Sequence, residues 1–266
     1  MTDTPASSAA PTGITHAEYE VRESVAYITL DSPPLNILTV AMMDQICVML
    51  KRVKDDPSIK ALAITARGRA FSAGADVEEH HPDQAPLMVD SFSRMFCMFG
   101  ELEVPIVALV DGHCLGGGFE LALMAHILLA TPNASFGQPE IRLGFIAPVG
   151  LAVLPERVGI SRAIEITASG RRYSAEEAKE LGLVRRIVPQ ETAHDELEAV
   201  LDDFRQASPL ILRMGVRTLM QSAHMPFEQA RQHAEQVFLD ELMATDDVRE
   251  GIAAFSAKRR PVWSNR

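Results

Sequence analysis

With 266 residues, 47% of them hydrophobic and 23% charged, the chain is long enough to bury a substantial core as one unit, and no internal repeat or composition break divides it. Its 25 Lys and Arg against 36 Asp and Glu leave a net charge of −11, which argues against nucleic acid as a partner and makes the surface as a whole unfavourable to an anionic ligand. Three cysteines, Cys47, Cys97 and Cys114, have neither metal nor disulfide spacing and suit a reducing cytoplasm, while apolar runs of about ten residues fall far short of the roughly 20 a membrane helix needs.

In chain order, residues 1–13 (MTDTPASSAAPTG) are small and polar, with no basic segment and no apolar run, so a flexible tail without a signal peptide is expected. From about 19 to 31 the sequence alternates as a hairpin does, and AMMDQICVMLKRV has helical period. IKALAITA and VPIVALV read as buried strands bracketing a helix near 86–100, and strands alternating with helices imply parallel β-α-β units. LALMAHILLA reads as an apolar helix carrying His126 as a satisfied core histidine. Beyond residue 159 the pattern is almost all helical: SRAIEITAS, SAEEAKELGL with a serine cap, a short strand VRRIV, then long helices to 257.

Two stretches carry chemistry. DGHCLGGGFELAL puts three glycines, Gly116 to Gly118, where a strand runs into a helix, with Glu120 in that helix's first turn. FGQPEIRLG supplies a second carboxylate, Glu140. Glycines at a helix start expose unpaired N–H groups that can hold developing negative charge, and two carboxylates can move protons or orient water. Read singly, the glycines serve tight packing as readily as binding, and Glu140 fits a surface turn. Upstream, ALAITARGRAFSAGADVEEH is a strand leading into a loop of small residues, Ala73 and Gly74 among them, and then Asp76.

AFSAGAD, then GGGFE, then FGQPEIRLG, in this order and spacing, resembles the crotonase (enoyl-CoA hydratase/isomerase) superfamily from about residue 15 to the end. The resemblance implies an α/β fold: a ClpP/crotonase-like β-β-α spiral core over 14–200 and a C-terminal helical region, 201–266, for trimerisation and CoA contact. It implies an oxyanion hole from the backbone N–H of Ala75 and Gly117, holding the thioester oxygen of an acyl-CoA. Glu120 and Glu140 become the catalytic pair, and the presence of both favours hydration over isomerisation. Ala73, Gly74, Asp76, Val77 and Gly116 would shape the ligand site, while Arg67, Arg69, Lys258 and Arg259 would meet the CoA phosphates. No permanently bound cofactor and no metal are implied, coenzyme A arriving as part of the substrate, and the assembly would be a homotrimer or a dimer of trimers.

A narrower resemblance rests on LGFIAPVGLAVLPERVG, VEEHHPDQ and DELMATDDVREGIAAFSAKRRPVW, which look like the cyclohexa-1,5-diene-1-carbonyl-CoA hydratases of anaerobic aromatic degradation. A straight-chain hydratase, an isomerase and a non-catalytic acyl-CoA-binding protein of the same fold stay open. His80 and His81 are expected near the pocket mouth or solvated, His113 and Cys114 under the glycine turn or along the acyl pocket, Asp76 as an acceptor shaping its own loop, and Lys51, Arg52 and Lys54 on a solvated face.

Overall fold

Between Val25 and Leu30 only Thr29 escapes full burial, and a strand buried on both faces needs a layer packed on each. In the computed structural model, which describes residues 16–266, that strand (β2, Val25–Leu30) pairs antiparallel with β1 (Ala17–Arg22). The two-residue turn between them holds Glu23 at φ 47° and Ser24 at φ 64°, the left-handed geometry whose twist suits a tight hairpin. Helix α1 (Val40–Asp55) follows, with Thr39 Oγ1 accepting from Met42 N at 3.2 Å as its N-cap.

The chain then makes one move three times. β3 (Ala61–Ala66) enters a large sheet, β4 (Ala70–Ser72) a small one, and α2 (Ala85–Gly100) closes the turn. β5 (Ile106–Val110), β6 (His113–Leu115) and α3 (Gly117–Leu123) repeat it. β7 (Ile127–Ala130) and β8 (Ser135–Gly137) repeat it again, ending in a 3-10 turn, Pro139–Leu143, that leads to α4 (Pro148–Val158). With β9 (Tyr173–Ser174) and β10 (Arg186–Ile187), the sheets run β1-β2-β3-β5-β7-β10 and β4-β6-β8-β9. All the pairings β3·β5, β5·β7, β4·β6 and β6·β8 are parallel, so this is the β-β-α spiral.

Alternation along each strand feeds two buried layers. Ala26, Ile28, Leu30 and their neighbours pack with α1, α2 and α3. Val25, Tyr27, Ala61, Ala63 and Val107 face α7 (Ala193–Arg205), which follows α5 (Ile160–Ser169) and α6 (Ala175–Glu180) and contributes Ala193, Leu197 and Leu201. The boundary expected after residue 200 therefore falls inside a helix whose Leu197 and Leu201 serve the same layer. Beyond it, α8 (Pro209–Ser222), α9 (Phe227–Gln236) and α10 (Asp246–Ser256) form the helical end of the chain. Arg213 of α8 donates to the carbonyls of Val53, Asp56 and Ile59, tying this end to the foot of α1. Buried Asp247 accepts from Ser208, Ser264 and Asn265.

The hairpin, α1, the buried strands and the serine-capped α6 match the sequence pattern, Ser174 and Glu177 forming a full capping box. LALMAHILLA does not. The helix stops at Leu123 and Ile127–Ala130 is a strand, because the spiral needs β7 beside β5. A short, wholly apolar run reads alike as buried helix or buried strand. His126 is satisfied at the strand's start, where its Nδ1 accepts from Ile106 N at 3.0 Å. The tail 1–13 lies outside the described residues, and no described helix is long and apolar enough to cross a membrane.

Gly118 shows how closely α3 rides on β4: a Cβ there would lie 2.5 Å from both Ser72 Cβ and the Ser72 carbonyl oxygen. Gly118→Ala is expected to cost about 1–3 kcal/mol through overpacking, read as a lower denaturant midpoint. An unchanged midpoint would show that α3 can move off β4 freely.

Candidate active site

Because β4, β6 and β8 are adjacent and parallel, the segments leaving their C-terminal ends emerge side by side. These are Ala73–Asp76, Gly116–Glu120 and Gln138–Glu140, so the three motifs converge.

The first segment is held by a bridge to Leu38: Leu38 N donates to Gly74 O at 2.9 Å, and Asp76 N donates to Leu38 O at 3.2 Å. In such a bridge the intervening residue faces away, and Ala75 N–H has no acceptor among the described residues. Gly74, at φ +117°, makes the turn possible. Asp76 Oδ1 accepts from Glu78 N at 2.8 Å, and Glu79 accepts from Val40 N at 2.9 Å, so the loop is bonded within itself and to α1.

In the second segment Gly116, at φ +54°, ends β6, and Gly117 opens α3 with an N–H that also lacks an acceptor among the described residues. A Cβ on Gly117 would stand 3.2 Å from Ala75 N, so the two free N–H groups are neighbours. Two unpaired backbone donors side by side are able to hold an anion.

Glu120 follows in the first turn of α3, only 2% exposed, and its Oε1 accepts from Gly150 N near the start of α4 at 2.7 Å. Burial pushes its pKa up to about 7; the Gly150 bond opposes the rise and the charge of Glu140 adds to it. Glu140, half-buried on the 3-10 turn, is likewise raised to about 7 by desolvation. With its amide turned so that the NH2 group faces the carboxylate, Gln138 donates to Glu140 Oε1 at 2.9 Å and Oε2 at 3.0 Å, orienting it. A Cβ on Gly116 would come within 2.8 Å of Glu140 Oε1, so that glycine clears room for the carboxylate as well as making the turn.

A cavity of about 440 Å³ opens over this corner, lined by Ala73, Gly74, Ala75, Val77, Gly116, Gly117 and both glutamates. Sequence reasoning missed its apolar walls: Met88 and Phe92 from α2, and Phe145 and Ile146 beyond Glu140. Helical period marks Met88 and Phe92 as inward-facing, but cannot tell a wall that meets a ligand from one that meets other side chains. His80 lines the cavity, while His81 is exposed. Buried Cys114 and His113, bonded to Ser135 at 2.9 Å, do not line it. Among the described residues no cluster of His, Cys, Asp and Glu could hold a metal.

The basic residues stand outside this cavity. Arg67 is paired with Glu18 and Asp31, and Arg259 with Glu250 through two hydrogen bonds, so intrachain carboxylates already answer both charges. Arg69 and Lys258 are exposed, and none of the four lines the cavity. Lys51 and Lys54 pair with Asp55 and Glu101, and the Arg52 guanidinium lies 3.9 Å from the Tyr19 ring centre, as a solvated face would have them.

Residues 20–266 match the family model described as enoyl-CoA hydratase/isomerase. The chain belongs to the enoyl-CoA hydratase/isomerase family. It is 35% identical over 243 residues to the cyclohexa-1,5-dienecarbonyl-CoA hydratase of Thauera aromatica, covering 91% of this chain and 94% of that one. It is equally 35% identical over 251 residues to a probable enoyl-CoA hydratase, echA8, of Mycobacterium bovis, covering 92% and 96%. The solved enoyl-CoA hydratase of Bacillus anthracis superposes with a TM-score of 0.89 at 27% identity, over 95% of this chain and all of that one. Within this family fold, the motifs read from sequence occupy one corner, and the glutamates are its two carboxyls, Glu120 buried and Glu140 half-buried.

A carboxyl raised by burial costs stability where it must ionise. Below its ordinary value of 4.5, Glu120 is protonated folded and unfolded alike; between 4.5 and about 7 the unfolded chain ionises first, so the folded state weakens as pH rises. Glu120→Gln is therefore expected to be more stable than the parent at pH 8, by on the order of 2–3 kcal/mol, with the gain shrinking toward zero at pH 4. Denaturation at the two pH values checks this, and an equal effect at both would mean that Glu120 is not kept neutral by burial.

Proposed function

We propose that the protein adds water to the conjugated double bond of an enoyl- or dienoyl-CoA, with cyclohexa-1,5-diene-1-carbonyl-CoA favoured and 6-hydroxycyclohex-1-ene-1-carbonyl-CoA as its product, a step of anaerobic aromatic degradation. The observation that carries this reading is the pair of carboxyls, Glu120 buried and Glu140 half-buried and both raised to about 7, beside two unpaired backbone donors. Hydration needs a base for water, an acid for carbon and a holder for the enolate between them. A coupled pair sharing one proton near neutral pH supplies the first two.

The thioester oxygen sits between Ala75 N–H and Gly117 N–H and gathers charge as the water oxygen bonds to the β-carbon. One carboxylate takes the water proton, the other carboxylic acid gives a proton to carbon, and the enolate collapses back to a thioester. Each backbone donor is worth on the order of 3 kcal/mol to such a step. No resident cofactor enters the scheme. The aromatic side chains Phe92 and Phe145 on an otherwise apolar wall suit a six-membered ring, which supports the cyclic substrate together with the resemblance to the diene hydratases.

The remaining reading of the assembly is a cytoplasmic homotrimer or dimer of trimers, without nucleic acid or membrane partners. Exposed Phe227, Phe238, Leu239 and Phe255 in the C-terminal region support it, as apolar surface of that kind is ordinarily covered. With Arg67 and Arg259 in surface ion pairs, the exposed Arg69 and Lys258, which have no ion pair among the described residues, are the natural phosphate contacts.

Incubating the purified protein with cyclohexa-1,5-diene-1-carbonyl-CoA and crotonyl-CoA in parallel, and following the gain of water by mass, tests the substrate. Faster hydration of the cyclic diene is expected. Faster hydration of crotonyl-CoA would return the protein to the straight-chain hydratases, and hydration of neither would remove the activity. Glu120→Gln and Glu140→Gln should each cut kcat at least ~100-fold while leaving acyl-CoA affinity within a few fold, and parental turnover in either would take that residue out of the mechanism.

A further inference from the structure

The hydration scheme leaves two polar side chains on the cavity wall without a role, the exposed Ser93 and the half-buried His80. His80 ends the short turn Glu78–His80, and its Nδ1 lies 2.6 Å from the carbonyl oxygen of Asp76. A backbone carbonyl only accepts, so Nδ1 carries the hydrogen, and in the neutral imidazole Nε2 is an acceptor. It has no donor among the described residues. The ring is held from a second side as well: it packs on Phe145 with centroids 4.8 Å apart at 43°, and Phe145 N donates to Glu140 O at 3.0 Å. The acceptor is thus fixed between the oxyanion loop and the Glu140 turn. Around it the wall is apolar, with Met88, Phe92, Phe145 and Val149. The other side-chain acceptors on that wall are the two glutamates, which attend to the reacting carbons, and Ser93, which is exposed.

An acceptor fixed in an apolar wall is left unpaired by an apolar ligand and satisfied by one bearing a hydroxyl, and that difference is a source of discrimination. We propose that His80 Nε2 is a hydroxyl-recognition subsite of the acyl cavity, so that the site favours CoA thioesters whose acyl ring carries a hydroxyl beyond the carbon being hydrated. This rests on the reading of the cavity as an acyl-CoA site and extends its substrate class from the plain cyclic diene to ring-hydroxylated alicyclic acyl groups. The subsite requires no proton transfer by His80; it binds and orients.

Titration calorimetry of the full-length protein with cyclohexanecarbonyl-CoA and its 3-hydroxy and 4-hydroxy derivatives tests it, since these lack a β-hydroxyl to eliminate. Two variants separate the subsite from the scaffold: His80→Asn keeps an N–H where Nδ1 meets Asp76, and His80→Phe keeps the ring on Phe145, while both lack Nε2. The parent should bind at least one hydroxylated ring about three- to tenfold more tightly than the plain ring. That advantage should fall below about twofold in both variants, with the affinity for the plain ring nearly unchanged. Equal affinity for all three thioesters in the parent, or an advantage that survives in both variants, would overturn the subsite while leaving the cavity's acyl-CoA role standing. Failure of every thioester to bind would overturn the acyl-CoA reading, and the subsite with it.

Discussion

Everything at this site depends on the parallel pairing of β4, β6 and β8. Parallel strands bring like ends together, and each of the three spiral turns adds its second strand to the small sheet in the same direction before turning into a helical segment. The C-terminal ends therefore deliver one backbone donor from the first turn, one donor and a carboxyl from the second, and a carboxyl from the third. The Leu38 bridge completes the arrangement by taking the neighbours of Ala75 and leaving its own N–H free. If β4 and β6 separated, neither unpaired N–H would face the other.

Such closeness dictates residue size. Gly116 stands where a Cβ would strike Glu140, Gly117 where it would reach the Phe92 ring at 3.0 Å, and Gly118 where it would meet Ser72. Three consecutive glycines thus answer three separate contacts, and only Gly116 also needs a positive φ. The same enclosure that strips water from the glutamates raises both toward neutral pH, a state that weakens the fold above that range while readying the pair to share a proton.

The positive charge follows a different logic. On a chain with net charge −11, arginines are in demand for local neutralisation, and Arg67 and Arg259 are taken up by nearby acids. Charge near a motif in sequence is weak evidence for charge at a ligand, because a long flexible side chain goes to whichever carboxylate the fold brings within reach. The same holds for LALMAHILLA, where nothing local separates a buried helix from a buried strand and the vacant place beside β5 decides.

By itself the sequence determined the hairpin, the capped helices, the alternation that places strands in layers, and the three motifs with both glutamates, since these rest on local period, turn chemistry and residue type. Tertiary structure alone decided that the motifs share one corner, that Ala75 and Gly117 keep unpaired N–H groups, and that Gln138 and Gly150 grip the two carboxyls. It also made Met88, Phe92, His80 and Phe145 one wall. The reason is physical: hydrogen-bond vacancy, desolvation and cavity shape belong to groups distant in the chain, and exist only once parallel strands set those groups side by side.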